Sequence, residues 1–335
     1  MKQKISKRIS ENVSRRIFQL VKQGNLTIVG SNMIDLTSFL NRFPKKGETV
    51  YGRDFQQGFG GKGSNQGVIA SLLGANVSMI TTVGDDAYGR EWLSHYQNEK
   101  INTDFVKVVE DMNSGTAAIW VEEDGDNRIV ITPGANEALD TEFVSQAFET
   151  LPQADIVLSQ LENPQQAILE GFKRGKESGA ITLLNPAPAD VLLDDILEYT
   201  DWLLPNETEF AFLTGEKHDL PITQLIVAIK AFATQTNTNL VVTVGKNGAL
   251  LYRPKIDKDV HHIETTQVAV KDSTGAGDAF CGTFAYGLSI GLNPRVAIEL
   301  ANAIASDSVQ KLGTQTSYAR EQDLEKIVSG ILRKE

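Results

Sequence analysis

The sequence predicts an α/β protein with a central, mostly parallel sheet flanked by helices and a small β-sheet lid. Three observations carry this. From about residue 140 onward, short apolar runs of strand length alternate with helical periodicity, the pattern of parallel strands joined by helical crossovers. Two earlier stretches, 36–57 and 104–131, break that rhythm with turn-rich, strand-like sequence and read together as the lid. The 335 residues are 41% hydrophobic and 22% charged, ordinary for a globular chain large enough to bury an extensive core.

Residues 1–24 form a basic extension ahead of a single domain over 25–335. Seven lysines and arginines there face only Glu11, a local charge of +6 that leaves −17 for the remainder. Ile9, Val13, Ile17, Leu20 and Val21 recur at about helical spacing. The extension reads as a helical or disordered appendage, with a partner- or nucleic-acid-binding arm and a transit-type leader as alternatives. The acidic body argues against nucleic acid as the main ligand.

The first buried strand follows at 26–30. A helix is expected over 62–73 with Gly74 as its stop, then a strand at 77–83 and a helix at 87–98. Residues 116–121 and 128–131 flank the polar turn Asp124-Gly125-Asp126, a hairpin signal. Strands at 155–159, 180–184, 201–204 and 239–244 alternate with helices at 140–149, 164–177, 206–213 and 221–235. A strand pair near 248–263 and helices at 276–290, 294–310 and 320–332 complete the chain. No run approaches the ~18 apolar residues of a membrane span. The single cysteine, Cys281, excludes an internal disulfide and fits a reducing, cytoplasmic setting.

The chemistry concentrates in Asp272-Ser273-Thr274-Gly275-Ala276-Gly277-Asp278, directly before an apolar helix. Two glycines permit a sharp turn and close ligand approach. The helix start then presents unpaired N–H groups and a positive dipole end to an anion. A carboxylate placed beside a phosphate needs a task, and proton abstraction from an attacking hydroxyl is one. Gly58-Phe59-Gly60-Gly61-Lys62-Gly63 fits G-x-G-x-x-G, but it does not follow the first buried strand, so a dinucleotide fold is disfavoured. It reads either as a structural turn or as a backbone close to a polyhydroxylated ligand, reached by Lys62 and Asn65.

Asp35 and Glu162 follow strands, at the carboxyl-end positions where open α/β sheets bind ligands; turn and helix-start roles are their plain alternatives. Asn206 and Glu209 read as a capping box or as a polar pair near phosphates and a hydrated Mg²⁺. Thr243, Gly245 and Gly248 end a strand in a glycine turn suited to nucleotide contact. His261 and His262 are adjacent on a strand, so their side chains diverge and do not share a metal. Walker A, zinc-ligand and G-x-S-x-G patterns are absent from the sequence.

Together these residues resemble the ribokinase, or PfkB, family of carbohydrate kinases. The resemblance runs from about residue 25 to the end. It rests on both glycine signatures, Gly60 to Gln66 and Asp272 to Asp278, and on four further segments: Asn32 to Leu36, Gln160 to Pro164, Leu184 to Ala189 and Leu204 to Glu209. The resemblance implies the ribokinase-like fold and ATP-dependent phosphorylation of D-ribose at its 5-hydroxyl. Another sugar or nucleoside (2-deoxyribose, fructose, adenosine) is the alternative, and a non-catalytic sugar sensor is a third reading.

Carried over by residue, the resemblance makes Asp278 the catalytic base and the Gly275, Ala276 and Gly277 backbone the anion hole. It gives the sugar to Asp35, Gly61, Lys62, Asn65, Glu162 and Asp278. It places Asn206, Glu209, Thr243, Gly245, Gly248 and Asn302 on the side of ATP and Mg²⁺. A monovalent cation, K⁺, is implied at Asp272, Thr274, Ser308, Lys311, Gly313 and Ser317. A homodimer through the lid sheets is expected. Two departures from the family pattern stand out: Met33 replaces an Asn found in some relatives two residues before the sugar-binding Asp, and Ser64 replaces a common Ala.

Overall fold

A computed structural model describes residues 23–217 and 220–332. The amphipathic helix expected from Ile9 to Val21 lies outside them. The chain runs β1 (Asn25–Val29), β2 (Met33–Leu40), β3 (Gly52–Gly60), α1 (Lys62–Leu72), β4 (Asn76–Gly84), α2 (Ala87–Asn98), β5 (Val106–Val109), β6 (Thr116–Val121) and β7 (Asn127–Thr132). It continues through α3 (Thr141–Thr150), β8 (Ile156–Ser159), α4 (Gln165–Glu177), β9 (Ile181–Leu184), β10 (Trp202–Leu203), α5 (Glu207–Thr214) and α6 (Ile222–Thr236). The final elements are β11 (Asn239–Thr243), β12 (Ala249–Tyr252), β13 (His261–Ile263), α7 (Ala276–Ser289), α8 (Pro294–Ser308) and α9 (Glu321–Leu332).

Nine strands form the large sheet in the order β13-β12-β11-β10-β9-β8-β1-β4-β5. All neighbours from β11 to β5 are parallel, and β12 and β13 add antiparallel at one edge. Burial on both faces explains the continuous apolar runs of β1 and β11. Within β11, Val241 faces a core cluster shared with α1, α2, α7, α8 and α9, while Leu240 and Val242 face a second cluster shared with α3, α4, α5 and α6. Cys281 is buried in the first cluster, as plain packing requires. Among the described residues, no helix is long and apolar enough to cross a membrane.

The small sheet has the order β3-β2-β6-β7. Its composition corrects the expected lid in two places. The segment 104–131 is divided: β5 pairs parallel with β4, Thr81 against Val106, and so extends the large sheet. The cause is local, because β4, α2 and β5 make a βαβ crossover, which returns the chain parallel to its starting strand. The small sheet also starts at Met33 rather than 36, so Asp35 is a strand residue paired with Gly58 and Ala117.

Candidate active site

The carboxyl ends of β1 and β8, the start of β2 and the N-termini of α1 and α7 converge on one site. At its centre is Asp278, in the first turn of α7 and only 7% exposed. Burying a carboxylate is costly unless it is hydrogen-bonded. Asn65 Nδ2 donates to its Oδ2 and Gln66 Nε2 to its Oδ1, each at 2.9 Å. One amide grips each oxygen, and the remaining lone pairs are available to a substrate hydroxyl.

The turn ahead of α7 is built for an open N-terminus. Gly275 has φ 74°, and a Cβ there would lie 2.4 Å from Thr314 Cγ2, so glycine is required on both counts. A Cβ on Gly277 would meet nothing within 4 Å. The space beside that residue is therefore open at the helix start, whereas the Ala276 N–H, expected in the anion hole, already donates to the Ser273 carbonyl at 3.2 Å.

On the small-sheet side, Gly61 at φ 82° turns the chain into α1, with its would-be Cβ 2.7 Å from Asn32 Cα. Glycine at 60 leaves room for the Asp35 carboxylate, whose Oδ1 would lie 2.3 Å from a Cβ. Glu162 accepts from Ser31 Oγ at 2.5 Å and from the Lys62 N–H at 2.8 Å. Burial raises the pKa of Asp35 to about 7, helped by the negative charges of Glu162 and Asp278. Burial also raises Glu162, against the pull of Lys62 and the Ser31 hydroxyl. For Lys62, burial works against the ammonium, but Asp278, Glu162 and Glu209 outweigh it and hold the pKa above its usual value. The carboxylates and this lysine form one electrostatically coupled group.

Across α7 lies a cleft of ≈ 260 Å³ lined by Thr243, Gly245, Gly248, Ala276, Gly277 and Asn302 among others. Four residues expected at a nucleotide thus meet two of the anion turn. Asn302 Nδ2 donates to the Ile263 carbonyl at 3.2 Å, which ties α8 to the end of β13. Asn206 and Glu209 form a complete capping box at the start of α5. Both Glu209 oxygens already accept from Asn206, and burial raises the Glu209 pKa against that backbone bond. An isolated β-bridge sets Asn206 beside Thr243 and so places the box at the cleft's edge.

Behind the anion turn, Asp272 Oδ1 accepts from Thr274 Oγ1 at 2.6 Å and Thr274 N–H at 2.9 Å, and its Oδ2 accepts from Gly313 N–H at 2.9 Å. Burial opposes ionisation of Asp272, but these donors prevail and lower its pKa. The Ser308 carbonyl accepts from the Lys311 N–H at 3.1 Å. Ser317 Oγ turns to the Thr314 carbonyl at 2.6 Å, not to Asp272. His261 and His262 diverge as their register requires: one meets Asp257, the other the Asn247 carbonyl.

Sequence reading missed a set of supporting amides. Gln160 Nε2 donates to Gln66 Oε1 at 2.6 Å, and Gln66 Nε2 also reaches Asn185 Oδ1 at 3.1 Å. The available signal was the polar run Ser64-Asn65-Gln66 inside a helix whose residues 63–70 are buried. Buried polar side chains in series imply a network.

The pfkB family carbohydrate kinase model matches residues 23–321. A ribokinase of Dictyostelium discoideum is 36% identical over 318 residues, covering 90% of this chain and 99% of that protein. A deoxyribokinase of Salmonella typhi is 37% identical over 297 residues, covering 88% and 95%. The structure of Arabidopsis thaliana ribokinase complexed with ribose and ATP aligns with a TM-score of 0.81 at 28% identity, over 93% of this chain and 99% of that one. With the glycine turns, the buried carboxylate and the facing cleft in place, the chain is a member of the pfkB family of carbohydrate kinases.

Proposed function

We propose that this protein transfers the γ-phosphoryl group of ATP to the 5-hydroxyl of D-ribose. The observation that carries this reading is the buried Asp278 carboxylate, held by two amides at the N-terminus of α7, with the charges of Asp35, Glu162 and Lys62 close by and a cleft lined by Ala276 and Gly277 of the same turn. Sugar hydroxyls are held by Asp35, Glu162, Asn65, Lys62 and the Gly61 backbone. ATP lies along the cleft with its phosphates over Gly275 to Gly277. Asp278 takes the proton of the attacking hydroxyl, and the first-turn N–H groups stabilise charge on the transferring group. Positioning and electrostatics suffice because phosphoryl transfer asks little covalent chemistry of the protein.

Mg²⁺, held near Asn206 and Glu209, would neutralise phosphate charge. With both Glu209 oxygens engaged by Asn206, these side chains fit a hydrated ion better than a directly ligated one. A monovalent cation would draw on the Asp272 carboxylate, whose oxygens here accept from the Thr274 hydroxyl and the Gly313 N–H. Its role would be to tune the anion turn. The protein acts as a cytoplasmic enzyme and pairs through its small sheets, which expose Phe55, Ile129, Val130 and Ile131.

One observation favours 2-deoxyribose as a second substrate. Met33 shares the β2 face of Asp35, two residues away, and presents a thioether in place of a hydrogen-bonding amide. An ATP-turnover screen with ribose, 2-deoxyribose, fructose and adenosine tests both readings. Ribose or 2-deoxyribose is expected to give the highest kcat/KM. Turnover confined to adenosine or fructose would overturn the assignment.

A further inference from the structure

A chain of side-chain hydrogen bonds leaves the site through Asn65. Asn65 Oδ1 accepts from Gln315 Nε2 at 3.0 Å, and Gln315 Oε1 lies 2.7 Å from His95 Nε2. The Asp278 carboxylate fixes the polarity of the whole chain. It accepts from Asn65 Nδ2, so the Asn65 oxygen must face Gln315. Gln315 must then donate inward and present its own oxygen to His95. His95 is therefore the donor at Nε2, in the tautomer that carries its proton there.

Each member is held independently. Asn65 and Gln315 are buried, at 5% and 4% exposure. The His95 ring stacks on Phe59 with centroids 3.8 Å apart and planes within 7°. Phe59 is the penultimate residue of β3, two residues before Gly61, and Gln315 lies in the loop that packs on Gly275 through Thr314. His95 thus joins α2, the end of the small sheet and the loop behind the anion turn.

We propose that His95 and Gln315 are positioning residues that orient Asn65, and through it the Asp278 carboxylate, for proton abstraction. The proposal rests on Asp278 being the catalytic base. Without an inward-pointing donor at 315, the Asn65 amide is free to rotate. It would then lose its grip on Asp278 Oδ2 and turn its own oxygen toward a carboxylate. Misorientation of a reacting group by about 1 Å is enough to cost up to roughly 10²-fold in rate.

The test is steady-state kinetics on the full chain with ATP and the best sugar of the screen, with melting temperatures recorded for each variant. Gln315→Met keeps the volume and removes both polar ends; kcat is expected to fall about tenfold or more while sugar KM changes less. Gln315→Glu turns an acceptor toward Asn65 Oδ1 and should cost more than Gln315→Met. His95→Phe keeps the stack on Phe59 without a donor and should lower kcat. His95→Gln restores a donor at Nε2 and should recover most of it. A merely structural role predicts the reverse order at 95, with the phenylalanine variant the better one.

Asp278→Asn is run alongside. If it retains turnover, the base assignment fails. If it is inactive while folded Gln315→Met and His95→Phe both match the unmodified protein, the positioning chain alone is overturned. Should Gln315→Met not fold, the His95 pair decides.

Discussion

Asp35 couples the proposed sugar site to pH. Its folded pKa is raised from the ordinary aspartate value of 3.8 to about 7 by burial and by Glu162 and Asp278. A raised acid binds more protons folded than unfolded, so its favourable contribution is present below the unfolded pKa and is lost as pH climbs through about 7. Asp35→Asn removes that loss. Its melting temperature relative to the unmodified protein should rise from pH 4 to pH 8, and a constant difference would contradict the shift. Function runs the other way, because the ionised carboxylate is the better acceptor for sugar hydroxyls. Sugar KM should increase by up to about tenfold per unit below pH 7, and this dependence should flatten in Asp35→Asn.

At the scale of elements, the turn into α7 separates two roles that one motif combines. Gly277→Ala places a methyl in open space, so stability should change by no more than about 1 kcal/mol. The same methyl enters the space proposed for the ATP phosphates, so ATP KM should rise several-fold or kcat fall. Gly275→Ala meets Thr314 and a positive φ, and should cost about 1–3 kcal/mol in denaturant unfolding. Equal effects of the two substitutions on stability would contradict this division.

The helices and parallel strands after residue 140 were legible because their periodicity is long and repeated. β5 was not, since four residues rich in valine read equally well as lid or as sheet edge until its pairing with β4 is seen. The three carboxylates that gather here, Asp278, Asp35 and Glu162, were legible as candidates from glycine turns and strand ends. Gln66, Gln160 and Gln315 were not, because amides that act through other amides leave no spacing signature.

For the whole molecule, the small sheet exposes more apolar surface than an isolated lid needs. Phe55 is 57% exposed and Val130 is 62% exposed, and strand register places both on the face opposite Asp35. Pairing of two such sheets predicts a homodimer at micromolar concentration by light scattering. Val130→Asp should shift it toward monomer, and a monomeric mass for the unmodified protein would contradict pairing. Both halves of the molecule meet at the Asp278 carboxylate, and single-turnover phosphorylation of ribose by Asp278→Asn tests its role most directly. The rate should fall by at least about 10² with sugar affinity little changed; a rate near that of the unmodified protein would contradict the account.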